Sequence, residues 1–239
     1  MLELSRRSNF FLYTSYALLV IVLIGFSPTF YLRAFFDVTE FPQYVYAHGF
    51  AMTAWFVWLC VQTTVVYSGR VALHRKLGTI GMALGILVLL SGVFTAMNLA
   101  PRLLEKYGNI DSDMPRIAGI VWGNLAGMIA FGGFLVAAYL YRQKPEIHKR
   151  LILLASISIT LQALGRIAKF PMVDLPEGPF ALIGLLLLLV MLGVFDKRNI
   201  GSVQRVTWVG GCALLTILIF FGFVISNSSF GRAFVLVLT

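Results

Sequence analysis

The sequence predicts an all-α fold, a bundle of seven transmembrane helices with its N-terminus inside and its C-terminus outside. Three observations predict it. The 239-residue chain is 59% hydrophobic and only 12% charged, with a mean hydropathy of +0.88, far too apolar for a soluble domain. Its apolar residues fall into seven runs separated by short charged turns. Its cations gather on alternate turns. With the N-terminus inside, twelve Lys and Arg lie inside (Arg6, Arg7, Arg70, Arg75, Lys76, Arg142, Lys144, Lys149, Arg150, Lys197, Arg198, Arg205) and the other seven outside, the bias that sets orientation in membranes.

The first run, residues 10–32, follows Arg6 and Arg7 and has the look of a signal peptide. It is long enough to span and has no small-x-small cleavage motif, so it reads as a retained helix whose outer end Pro28 bends. A loop with Asp37, Glu40 and Pro42 leads to helix two, residues 44–68. The basic turn around GRVALHRK leads to helix three, 77–100. Residues 101–116 form the longest and most acidic loop, with Pro101, Asp111 and Asp113. Helix four spans 117–141. The turn RQKPEIHKR, with Pro145 placed to open a helix, leads to helix five, 151–170. The loop PMVDLPEGP precedes helix six, 180–195, the shortest of the seven. The turn DKRNIGSVQR precedes helix seven, 206–225, and a short tail ends at Thr239. All of this is one membrane domain, residues 1–239.

The net charge of +9 would suggest nucleic acid in a soluble chain; here it sits in membrane-flanking turns, so no nucleic-acid partner is expected and membrane lipid is. Cys60 and Cys212 lie inside apolar runs, where small buried apolar roles suit them better than a disulfide. No phosphate-cradling glycine loop, HExxH pair or nucleophile elbow occurs, and no catalytic residue is assigned.

The three histidines carry most of the chemistry. His48, Trp55 and Gln62 recur every seven residues and share one face of helix two. His74 and His148 open helices three and five at the same inner boundary, within a weak repeat that aligns ALHRKLGTIG with EIHKRLILLA. Two neutral imidazoles facing one another across a bundle are the ligand set of a b-type haem, so His74 and His148 are candidate haem or metal ligands. Gly78, Gly81, Gly85 and Gly92 lie on the face below His74, and Gly119, Gly123 and Gly127 form a second small-residue face on helix four. Such faces leave room for a macrocycle or let a neighbouring helix approach closely. The cations Arg75, Lys76, Lys149 and Arg150 suit haem propionates; they equally suit lipid phosphate, with the histidines as interfacial residues. Toward the outer leaflet, His48, Asn98, Asn124, Gln162 and Arg166 fall at similar depths and form a candidate pocket for an anionic or carbonyl headgroup such as a quinone. Interhelical hydrogen bonding is the alternative use of the same residues.

The order His48, Gln62, His74-Arg75-x-x-Gly78, then Pro145-x-x-His148-Lys149-Arg150-Leu151 resembles a group of uncharacterised bacterial multi-pass membrane proteins over residues 44–170. Their shared core reads His, Trp or Gly, Gln, then His-Arg-x-x-Gly, with a later His-Lys-Arg-Leu. HKRLILLA is also similar to small membrane proteins implicated in cytochrome oxidase assembly, and the inner histidine pair is similar to that of diheme b-type cytochromes reducible by ascorbate. Those cytochromes use a second pair on helices two and four. Helix four here has no histidine, and Trp122 stands where the repeat would place a partner for His48, so at most one bis-histidine haem is implied. The resemblance implies a bacterial cytoplasmic membrane. The expected function is a redox-linked membrane protein holding haem b or a metal and receiving a quinone. The alternatives are an accessory or assembly subunit of a larger membrane complex and a small-molecule transporter.

Overall fold

The computed structural model describes residues 9–36, 40–110 and 112–239; Arg6, Arg7, Asp37 and Asp111 lie outside them. Helix α1 is Phe10–Gly25, α2 Gln43–Tyr67, α3 Val71–Met97, α4 Leu99–Tyr107 and α5 Met114–Leu140. Then follow α6 Pro145–Ser158, α7 Leu161–Ala168, α8 Glu177–Ile200, α9 Arg205–Ile219 and α10 Ser229–Val237. No strand occurs among the described residues. Six helical stretches are long and apolar enough to cross a membrane: α2, α3 with α4, α5, α6 with α7, α8, and α9 with the π turn Phe220–Ile225. The chain is therefore an integral membrane protein. Helix α1, with 16 residues, is apolar but shorter.

Proline shapes the end of α1 as expected. Pro28 has no amide to give to the Ile24 carbonyl, and the Ser27 hydroxyl donates to it instead at 2.7 Å. The backbone then winds into a π turn over Ser27–Tyr31. Between α2 and α3, Gly69 adopts a left-handed φ of +79°, a conformation that costs a side-chain-bearing residue, and the reversal is complete in three residues.

Helices α5 and α6–α7 are the centre. Their apolar windows are 56% and 67% buried, against 17–28% for the other spans. Phe56, Phe131, Leu154, Ile157, Leu185 and Leu192 are fully buried there, and Trp55 meets Phe131 edge-on at 5.0 Å. Leu87, Ile183 and Leu187 lie on the exposed face, where lipid is the solvent. A second cluster joins Ile117, Val121 and Trp122 of α5 to Val235 of α10.

Several boundaries differ from the sequence expectation for physical reasons. Helix α3 opens at Val71, so His74 is inside its first turn. Helix α6 opens at Pro145, and the expected helix five breaks after Ser158. There the Ser158 hydroxyl donates to Ala155 O and the Thr160 hydroxyl to Ser156 O, competing with the backbone ladder. Helix α8 is not the shortest: it runs through Asp196, Lys197 and Arg198 to Ile200, because Asp196 is buried in a side-chain network. The acidic loop contains α4, and the tail contains α10.

Candidate functional site

The two inner histidines are neighbours. The rings of His74 and His148 have centroids 6.2 Å apart and planes at 70°. Each ring is held through Nδ1. His148 Nδ1–H donates to Ala138 O at 2.8 Å, taking one of the carbonyls left over at the C-terminal end of α5. His74 Nδ1–H donates to Gln62 Oε1 at 2.5 Å. An imidazole whose Nδ1 carries the proton keeps its Nε2 lone pair, the form in which histidine ligates metals. The seven-residue spacing on α2 therefore has a structural consequence at each position. Gln62 orients His74, and Trp55 Nε1 donates to Ser156 Oγ at 3.2 Å. His48 Nδ1 lies 3.0 Å from Ser91 Oγ; Ser91 gives its own proton to Val88 O, so His48 is the donor.

The cations around the pair do not form one set, which corrects the expectation that all four are free for an anion. Arg150 is fully buried. Its Nε and Nη2 donate to Asp196 Oδ1 at 3.0 and 2.5 Å, and Nη1 donates to Glu146 O and Oε2 at 2.6 and 2.9 Å. Asp196 Oδ2 accepts from Thr207 Oγ1 at 2.5 Å and from the Gln204 amide at 3.1 Å. Lys149 is paired with Glu146 at 2.7 Å. Arg75 and Lys76 are exposed beside His74. Arg150 and Asp196 are thus a staple joining α6, α8 and the start of α9, not part of an anion site. Asp196 was hidden in the sequence because it reads as the first residue of a charged turn; its one signal was an acid directly abutting an apolar run.

The glycine face below His74 is mostly filled by neighbours. A side chain at Gly81 would meet Trp58, one at Gly85 would meet Leu135 and Trp55, and one at Gly92 would meet Met128 and His48. Gly78, one turn below His74, faces open space. Gly119 and Gly123 also face open space, so the second small-residue face is not a tight helix contact at those positions, while a side chain at Gly127 would press on Ser158 O.

The five outer residues do not share one hydrogen-bond network. Gln162 Nε2 donates to Asn124 Oδ1 at 2.7 Å, Asn98 donates to Phe94 O of its own helix at 2.8 Å, and His48 holds Ser91. Arg166 stands apart, its guanidinium over the Phe26 ring at 4.6 Å and its buried Nε without a hydrogen-bond partner. Trp122 turns away from His48: its Nε1 donates to Gly231 O at 3.0 Å, and its ring packs on Phe221 and Phe234. Depth along a helix is legible in sequence, but the azimuth at which two helices meet is not.

The fold defines an integral helical membrane protein in which a histidine of α3 and one of α6 lie side by side. Comparison of the chain with protein-family models, with curated proteins and with solved structures finds no match.

Proposed function

We propose that this is a redox-linked protein of the bacterial cytoplasmic membrane that binds one b-type haem through His74 and His148. The observation that carries the reading is the 6.2 Å between the two rings, each with Nδ1 already engaged. Two imidazoles on opposite sides of one iron, with metal–nitrogen bonds of about 2 Å, place their ring centroids about 6 Å apart. Among the described residues no group of three or more His, Cys, Asp or Glu side chains comes together, so the pair suits a metal whose other ligands come from a macrocycle better than a bare ion. The open space at Gly78 favours the same choice. Arg75 and Lys76 are the cations left to hold propionates. When bound, the haem would supply one-electron transfer.

In this reading the chain crosses the membrane seven times, N-terminus inside. Helix α1 with its π turn runs from Phe10 to Tyr31, 22 residues and about 33 Å at 1.5 Å per residue. The histidine pair then faces the cytoplasm. Of the outer residues, Arg166 is the one with donors to spare, and it would receive the headgroup of a quinone-like or anionic molecule.

The test is an absorption spectrum of detergent-purified protein from haem-sufficient cells. A reducible Soret band is expected; His74→Ala and His148→Ala should each abolish it, and His48→Ala should leave it. A colourless preparation overturns the haem and makes an accessory or assembly subunit of a larger membrane complex the better reading. A small-molecule transporter has less support, because Gln162 is bonded to Asn124 and His48 to Ser91 within the protein.

A further inference from the structure

A groove of about 270 Å³ runs between α5 and α9. Its floor is buried: Ala130 and Phe134 of α5, Leu151 of α6 and Gly210 of α9. Its rim is not. Ile129 and Val209 are 45% and 43% exposed, so the groove opens sideways onto lipid. Helix α9 leans on α6 at Gly210, where a side chain would meet Leu154, but stands off from α5 at Gly133, which faces open space. Along α9 the groove extends from Val206 to Ile217, about 17 Å at 1.5 Å per residue. That is close to one leaflet, half of a hydrocarbon core about 30 Å thick. Spreading 270 Å³ over that length leaves a cross-section of about 16 Å², a channel about 4.5 Å wide. A hydrocarbon chain, whose carbons make contact at about 4 Å, fits it; a helix about 10 Å across does not.

The end of the groove on the histidine side carries two cations. Arg205 opens α9 directly before Val206, and Lys144 precedes Pro145, two turns of α6 before Leu151. Lys144 Nζ stands over the Tyr141 ring at 5.7 Å, and Tyr141 continues the α5 row Gly133–Ala137 at four-residue steps. Both cations are exposed, and neither has an ion pair among the described residues. The acids of the same turns are already paired, Asp196 with Arg150 and Glu146 with Lys149 and Arg150. We infer that this groove binds one acyl chain of an anionic phospholipid from the leaflet on the histidine side, with its phosphate on Arg205 and Lys144. An empty groove forfeits the dispersion contacts of its walls, and the bilayer supplies the chain that restores them. The chain sets the fit, and the two cations select an anionic headgroup over a zwitterionic one. None of this depends on the haem.

The experiment uses full-length protein in phosphatidylcholine nanodiscs that contain a small fraction of phosphatidylglycerol with a photoreactive diazirine in one acyl chain. Phosphatidylcholine with the same label is the control, and adducts are located by peptide mass spectrometry. Phosphatidylglycerol adducts should saturate and concentrate on residues 129–137 and 206–217, while the control should label the exposed faces of all the spans. Gly133→Phe, which fills the groove and keeps both cations, should remove most of the groove adducts. The double variant Lys144→Gln/Arg205→Gln should lower the preference for phosphatidylglycerol about tenfold and leave the labelled positions unchanged. If Gly133→Phe does not fold, the wild-type preference and the double variant, whose changes are both exposed, decide. Labelling that follows exposure alone, adducts that do not saturate, equal use of the two lipids, or unchanged adducts in folded Gly133→Phe overturns the inference. So does displacement of the label by free palmitate in preference to phosphatidylglycerol, which would give the groove to a fatty acid. A groove closed to the label in a dimeric protein would give it to a second copy of the chain, and overturns the inference as well.

Discussion

Arg150 and Asp196 show how much a single pair can decide. Both side chains are fully buried, and each polar atom of the aspartate is used: Oδ1 by Arg150, Oδ2 by Thr207 and the Gln204 amide. Breaking a buried pair leaves the surviving charge without compensation, which costs about 3–5 kcal/mol, whereas replacing both partners by apolar groups of similar volume is often neutral. Arg150→Ala should therefore lower stability by about 3 kcal/mol or more, and Asp196→Leu by a similar amount. The double variant Arg150→Met/Asp196→Leu should recover most of the loss. Thermal unfolding midpoints in one detergent read the cycle, and additive losses in the double variant would show that the pair is not coupled. At the residue scale, the sequence identified the three histidines and Gln62 because such groups are rare in apolar runs. It misassigned Arg150 because a cation in a turn and a cation folded back under a helix are written with the same letters.

At the scale of elements, closeness of approach sets tolerance. A side chain on Gly25 of α1 would run into the backbone of Ala163 on α7, and backbone cannot rotate away. Gly123 on α5 faces open space. Gly25→Ala should sharply reduce the yield of folded protein, Gly123→Ala should be close to neutral, and Leu87→Ala on the exposed face should be nearly free. Size-exclusion profiles of the three variants give the ranking, and a Gly123 variant as damaged as the Gly25 variant would contradict the packing described. Periodicity made these helices legible: the seven-residue row His48–Trp55–Gln62 does face neighbouring helices. Periodicity gave no sign of the break at Ser158–Thr160, because hydroxyls on a helix face interrupt the ladder only when buried geometry turns them onto the carbonyls.

For the whole molecule, orientation decides which side of the membrane the histidine pair faces. The orientation proposed from cation bias has the turns carrying His74, His148 and Ser202 on the cytoplasmic side. In a variant with Cys60 and Cys212 removed, a cysteine at Ser202 should resist a membrane-impermeant maleimide in intact cells. A cysteine at Asn227, beyond the last span, should react. The opposite pattern would invert the protein and place the histidine pair outside.

Composition and hydropathy alone determined that this is a helical membrane protein and where most of its apolar helices run, though not their ends, and that His74 and His148 open two of them. These follow from the bilayer as solvent, which demands long apolar helices and charged turns whatever their arrangement. Only the tertiary structure decided which polar groups have partners. It brought the two inner rings together, committed Arg150 to Asp196, divided the outer residues among their neighbours, and left Trp58, Gln62 and Arg166 with donors to spare. Those outcomes depend on the rotation of each helix about its axis, and that rotation is set by side-chain packing between segments far apart in the chain.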